Sequence, residues 1–110
     1  MSEIFSPPIK ALPLANIPIE GVTAFLSQGD THQILFMQFE KDVELPSHSP
    51  AGQAGFVLNG KIEMTIDGEN KIFIKGDSYH IPENVIHSAK IYAGYADITF
   101  FDQPDRYSVK

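Results

Sequence analysis

The sequence predicts an all-β domain built as an antiparallel sandwich or barrel. Three observations carry this: no window sustains an apolar period of 3.6 residues, short alternating apolar–polar runs dominate, and turn pairs separate them. Turn signals recur about every 8–12 residues, the spacing of many short strands.

The elements follow in order. Residues 1–20 contain Pro7, Pro8, Pro13 and Pro18, and read as an extended N-terminal arm rather than a strand in mid-sheet. Residues 21–110 read as one β-barrel domain, with the first strand at 22–26. Residues 33–40 are apolar at both parities and read as a strand buried on both sides. A strand at 55–58 precedes Asn59-Gly60. In 61–66, Ile62, Met64 and Ile66 share one face and Lys61, Glu63 and Thr65 the other, as in a half-buried strand. Asn59-Gly60 and Asp67-Gly68 flank this strand as tight hairpin turns, because these residues tolerate positive φ. Ile72 and Ile74 alternate with Lys71, Phe73 and Lys75 in the next strand, which Gly76-Asp77 ends. Strands at 78–81, 87–91 and 96–101 complete a set of about eight.

The bulk numbers limit the function. A chain of 110 residues is the size of one domain, and it buries roughly two thirds of its unfolded surface, enough for a core without staples. With 8 basic residues against 14 acidic ones and no basic cluster, the net charge of −6 argues against binding nucleic acid or anionic membranes. Having no cysteine, the chain makes no disulfide, thiolate metal site or thiol nucleophile. The first residues lack a basic segment followed by an apolar one, and no run approaches membrane-spanning length, so a cytoplasmic protein is expected. His-Glu-x-x-His, Gly-x-Ser-x-Gly and phosphate-cradling glycine loops are missing from the sequence.

Strand parity selects the polar residues expected to face inward. His87 falls with Ala89 and Ile91, opposite Ser88 and Lys90, and is expected in the core. In the last strand Ala96, Ile98, Phe100 and Asp102 form the expected inward row, opposite Asp97, Thr99 and Phe101. Asp97 and Asp102 thus differ in parity, which argues against a paired-carboxylate glycosidase. His80 shares its parity with Ser78 and Pro82, whereas Tyr79 and Ile81 form the expected core pair. His32 opens the long strand without a motif around it.

Two segments resemble the motifs of small single-domain cupins, of the RmlC-like jelly-roll kind. In "GDSYHIPENVIHSAKI", Gly76, Pro82 and His87 keep the spacing of the second cupin motif; Asn84 replaces a common glycine, and Ile91 a common asparagine. In "LPSHSPAGQAGFVLNG", Gly60 sets the frame of the first motif, His-x-His, four residues, Gln or Glu, six residues, Gly. Gln53 and His48 then stand at ligand positions, while Pro46 stands where the first histidine is usual. The resemblance implies an antiparallel jelly-roll barrel and a divalent metal (Zn, Ni, Mn or Fe) held by His48, Gln53 and His87, with His80 as an additional candidate for the vacant corner. Imidazole suits these ions, and the neutral amide makes the set weaker than a four-ligand one. It also implies a small-molecule ligand and a homodimer, in which the proline-rich arm could cover a partner's strand edge.

A second resemblance lies in "FFDQPDRY". Cupins that linearise 4,5-unsaturated uronic acids carry an aspartate, a proline and an arginine here, matched by Asp102, Pro104 and Arg106. The segment is two residues shorter than theirs and lacks the intervening aromatic. The resemblance implies a small anionic metabolite as substrate, Asp102 as the proton-transfer residue and Arg106 as its carboxylate holder, the planar guanidinium fork suiting that group. Set against this is Arg106 as a surface partner of Asp105 or Glu83. Three classes of function stand: a metal-dependent isomerase or lyase, or an iron dioxygenase that would consume oxygen; a metal-free binding or sensing module; and an oligomer scaffold.

Overall fold

The computed structural model describes residues 4–48 and 52–110, with the backbone alone for Ser47 and His48. After a one-turn helix, α1 (Pro7–Lys10), come nine strands: β1 (Val22–Gln28), β2 (Gln33–Phe39), β3 (Val43–His48), β4 (Gln53–Asn59), β5 (Lys61–Ile66), β6 (Glu69–Ile74), β7 (Ser78–Ile81), β8 (His87–Ile91) and β9 (Ala96–Phe101). Every strand pair is antiparallel. A five-stranded sheet, β1-β2-β9-β4-β7, faces a four-stranded one, β3-β8-β5-β6. The strands thus form two hydrogen-bonded sheets in the jelly-roll class rather than one closed ladder. Among the described residues no helix is long and apolar enough to cross a membrane.

Local chemistry explains most of these elements. The β5–β6 hairpin closes at Ile66↔Glu69 across Asp67 and Gly68, with φ of 50° and 81°, the double left-handed turn that suits strand twist. Asn59-Gly60, expected as a hairpin, instead carries the chain from one sheet to the other. Gly60 is required there twice over: its φ is 72°, and a Cβ would lie 2.8 Å from the Tyr95 Cα. β3 adds to the expected strands. Pro46 conceals it in the sequence, yet proline is tolerated here because β3 is an edge strand and its register against β8 shifts between Leu45 and His48. That shift brings His48, rather than Ser47, opposite His87.

Two strands are phased against expectation. In β9 the inward row is Asp97, Thr99 and Phe101, all buried, while Ile98 is half-buried and Phe100 and Asp102 are exposed. In β6, Phe73 turns inward and Ile72, 57% exposed, faces out with Ile74. Both strands carry large apolar residues at both parities, so hydrophobicity alone does not choose the face. β2, expected to be buried on both sides, has buried Gln33, Leu35 and Phe39 and half-buried residues between them.

The arm folds back on its own chain. Phe5 is buried edge-on against Phe25 and Phe36, at 6.0 and 5.8 Å between ring centres. The Ala15 amide donates to the Ala24 carbonyl at 2.9 Å and the Leu26 amide to that of Pro13 at 2.8 Å, covering the free edge of β1. On its other side the same segment meets the chain end: Asn16 donates to Ser108 at 2.8 Å and Lys110 to Leu14 at 2.7 Å. The arm thus covers an edge of its own sheet.

Candidate functional site

A cavity of about 370 Å³ lies between the sheets, in the small-ligand range. Gln53, Tyr79, Asp97 and Phe101 face it from the five-stranded sheet, and Ile62, Met64, His87, Ala89 and Ile91 from the other. Ile17, Pro18 and Ile19 of the arm, with Arg106 and Tyr107 of the C-terminal segment, complete the lining.

His87 stands where parity places it, 3% exposed. Its Nδ1 lies 3.2 Å from the Val85 carbonyl oxygen, which can only accept, so Nδ1 is the donor of this pair and, in the neutral ring, Nε2 is the acceptor atom. This backbone contact fixes both tautomer and ring orientation, as is usual for metal-binding imidazoles. The turn before it requires a left-handed residue at position 84, where Asn84 has φ 66°. Asparagine adopts that region more readily than most residues, which accounts for its standing in place of glycine. Gln53 is buried at the start of β4 and lines the same cavity. The backbone of His48 pairs with that of His87, but its side chain lies outside the described residues. Among the described residues no group of three or more His, Cys, Asp or Glu side chains could hold a metal. The groups that remain, a buried imidazole whose Nδ1 faces a backbone carbonyl and a buried amide, have chemistry that fits a divalent ion.

The other histidines are elsewhere. His80, the additional metal candidate, is exposed on the outer face of β7 opposite Ala54, because Tyr79 and Ile81 take the inward positions. His32 is half-buried just before β2 and stacks on Phe100 with ring centres 5.1 Å apart.

Asp102 is exposed beyond the end of β9 and does not line the cavity, a correction to its expected inward position. The carboxylate that faces inward is Asp97, 1% exposed. Tyr95 donates to its Oδ2 at 2.6 Å and Thr99 to its Oδ1 at 3.0 Å; the Tyr79 hydroxyl stands 3.5 Å from Oδ2. Burial pushes the Asp97 carboxyl up to about 6, while these three hydrogen bonds pull it down. Burial, then the nearby Asp97 charge, raises the Tyr79 and Tyr95 phenols well above their usual range. Tyr79 lies over Gly55: a Cβ there would be 2.2 Å from its Cζ. Sequence reasoning missed this network, although a glycine within a strand signals close approach of a neighbour.

Arg106 does line the cavity. It takes part in neither ion pair found among the described residues, Lys41 with Glu20 and Lys71 with Glu69. Its Nε is buried without a hydrogen-bond partner there, and its guanidinium carbon lies 5.6 Å from the Phe101 ring centre and 5.5 Å from that of Tyr107. Fully buried Gln33, a second residue the sequence did not single out, holds this segment: its amide donates to the Tyr107 carbonyl at 2.8 Å and accepts from the Tyr107 N–H at 3.0 Å.

The match to known proteins agrees with this fold. Residues 35–98 match the cupin domain family Cupin_2. The chain belongs to the cupin family. It is 34% identical over 67 residues to the quercetin 2,3-dioxygenase of Bacillus subtilis, a match covering 59% of this chain but only 20% of that relative. Among solved structures it resembles an RmlC-like cupin from Shewanella frigidimarina, with a TM-score of 0.75 and 26% identity over 96% of this chain and 94% of the other. KdgF from a Halomonas species has the same fold, with a TM-score of 0.70 and 18% identity over 83% of this chain and 87% of that one.

Proposed function

We propose that this cupin binds a divalent metal through His48, Gln53 and His87 and acts on a small anionic metabolite in the cavity beside it. The observation that carries this reading is His87: buried, facing the cavity, with Nδ1 within reach of the Val85 carbonyl, a contact that makes Nε2 the ligating atom of the neutral ring. Gln53 lines the same cavity, and the His48 backbone stands opposite His87 in register. Gln53 would offer its carbonyl oxygen to the ion and its amide N–H to Tyr79, an interaction that favours the Tyr79 phenolate. A bound divalent ion supplies Lewis acidity, polarising a ligand oxygen. Arg106 holds the ligand's negative group. In this reading the proton-exchanging carboxylate is Asp97, because Asp102 stands outside the cavity.

Elemental analysis of untagged protein, prepared without chelator, tests the centre. Near-stoichiometric Zn, Ni, Mn or Fe in the parent, and its loss from His48→Ala and His87→Ala, is the expected result. A parent that stays metal-free after addition of each ion would sink the centre and leave a metal-free binding module. The similarity to a quercetin 2,3-dioxygenase supports a second enzymatic variant, a dioxygenase that consumes oxygen, for which we take iron as the ion; an oxygen electrode separates it from an isomerase or lyase.

The reading includes a homodimer. Its support is an apolar stripe on the outer face of the five-stranded sheet, where Phe56, 54% exposed, and Phe100 stand beside Ile98, Ile34 and Phe36 in adjacent register. Light scattering at micromolar concentration is expected to give twice the chain mass.

A further inference from the structure

Among the described residues the cavity has few polar partners for a ligand. Asp97, the proton-exchanging group of the proposed function, accepts from Tyr95, Thr99 and Tyr79, so neither it nor Tyr79 is a spare donor for an anionic ligand. His87 and Gln53 belong to the metal in the function proposed above, on which this inference rests. Arg106 is left, its Nε buried without a partner among the described residues. Most of the opposite wall, formed by Ile62, Met64, Ala89 and Ile91, offers no hydrogen bond at all.

We infer that the ligand is a carboxylate with an apolar body, aromatic or branched aliphatic, and at most one further oxygen, rather than a polyhydroxylated sugar acid. Arg106 takes the carboxylate through its planar fork of N–H donors. The rings of Phe101 and Tyr107, which flank the guanidinium, give a flat body a surface to stack on. The apolar wall takes the rest, and a single additional oxygen reaches the metal position. A uronate brings several hydroxyls into the same space. Each one buried without a partner weakens binding by about tenfold or more, so a sugar acid is disfavoured by the wall rather than by the anion site.

The test is titration calorimetry of the full chain, metal-loaded and chelator-treated, with benzoate, cyclohexanecarboxylate and glucuronate. Benzoate and cyclohexanecarboxylate are expected to bind at least tenfold more tightly than glucuronate. Arg106→Gln is expected to weaken benzoate binding at least tenfold, with Arg106→Lys recovering part of it and both variants melting like the parent. Ile62→Asn, which places an amide on the apolar wall, is expected to narrow the preference over glucuronate. Glucuronate binding as tightly as benzoate overturns the inference and leaves the metal centre standing. No binding of any of the three at millimolar concentration also overturns it, as does benzoate binding that ignores Arg106→Gln. A chain that takes up no metal yet binds benzoate through Arg106 overturns the metal centre and supports the ligand class.

Discussion

The two sheets meet across the cavity with unlike inner faces. The four-stranded sheet presents Val43, Leu45, Ile62, Met64, Ala89 and Ile91, with His87 as the polar exception among the described residues. The five-stranded sheet presents Gln33, Gln53, Asp97 and Thr99, all buried, among its apolar residues. One wall therefore derives its stability from apolar area, which is non-directional, and the other from hydrogen bonds that must all be made at once. The difference predicts that the walls fail differently.

The largest effect is expected on the polar wall. At pH 5, Asp97→Ala leaves the Tyr95 and Thr99 hydroxyls without their acceptor and should destabilise the fold by about 3 kcal/mol in urea unfolding, whereas Asp97→Asn should recover much of it. A similar magnitude should appear in the pH dependence. The folded pKa of Asp97 is raised, from 3.8 to about 6, so the folded state holds the proton longer than the unfolded chain. Its stabilising contribution is full below pH 3.8 and lost as pH rises through about 6. Stability of the parent relative to Asp97→Asn should therefore fall by about 3 kcal/mol across that window; a flat difference would show that the carboxyl titrates normally.

The apolar wall should respond less sharply. Ile62→Ala should cost about 2 kcal/mol, the low end for a buried aliphatic truncation because the side chain already borders a cavity. Back on the five-stranded sheet, Gly55→Ala should cost about 2 kcal/mol by pressing on the Tyr79 ring. Phe56→Lys, on the outer face, should change stability by no more than about 0.5 kcal/mol while shifting the light-scattering mass to that of a monomer.

The same contrast explains what the sequence could reveal. β8 and β5 alternate cleanly, so the inward row of His87, Ala89 and Ile91 and that of Ile62 and Met64 were legible, as was the Asp67-Gly68 hairpin. In β9 the inward row is the polar one and Ile98 and Phe100 lie outside, so hydrophobicity chose the wrong phase and put Asp102 in the place of Asp97. β3 was obscured by Pro46, whose tolerance depends on an edge position and a register shift that only the pairing reveals. Gln33 could not be found at all, since its partner is the backbone of a residue 74 positions away. Gln53 and Arg106 were accessible through motif spacing, which placed them without telling what surrounds them.

The joining of the two chain ends over β1 bears on how a ligand gets in and out. Ile17 to Ile19 and Arg106 to Tyr107 all border the cavity, and both segments are tied by the bonds between Asn16 and Ser108 and between Lys110 and Leu14. Opening the cavity at this side therefore requires both segments to part from each other. The amides of Asn16, Leu26 and Lys110 should exchange hydrogen with a common rate, slowed together when the cavity is filled.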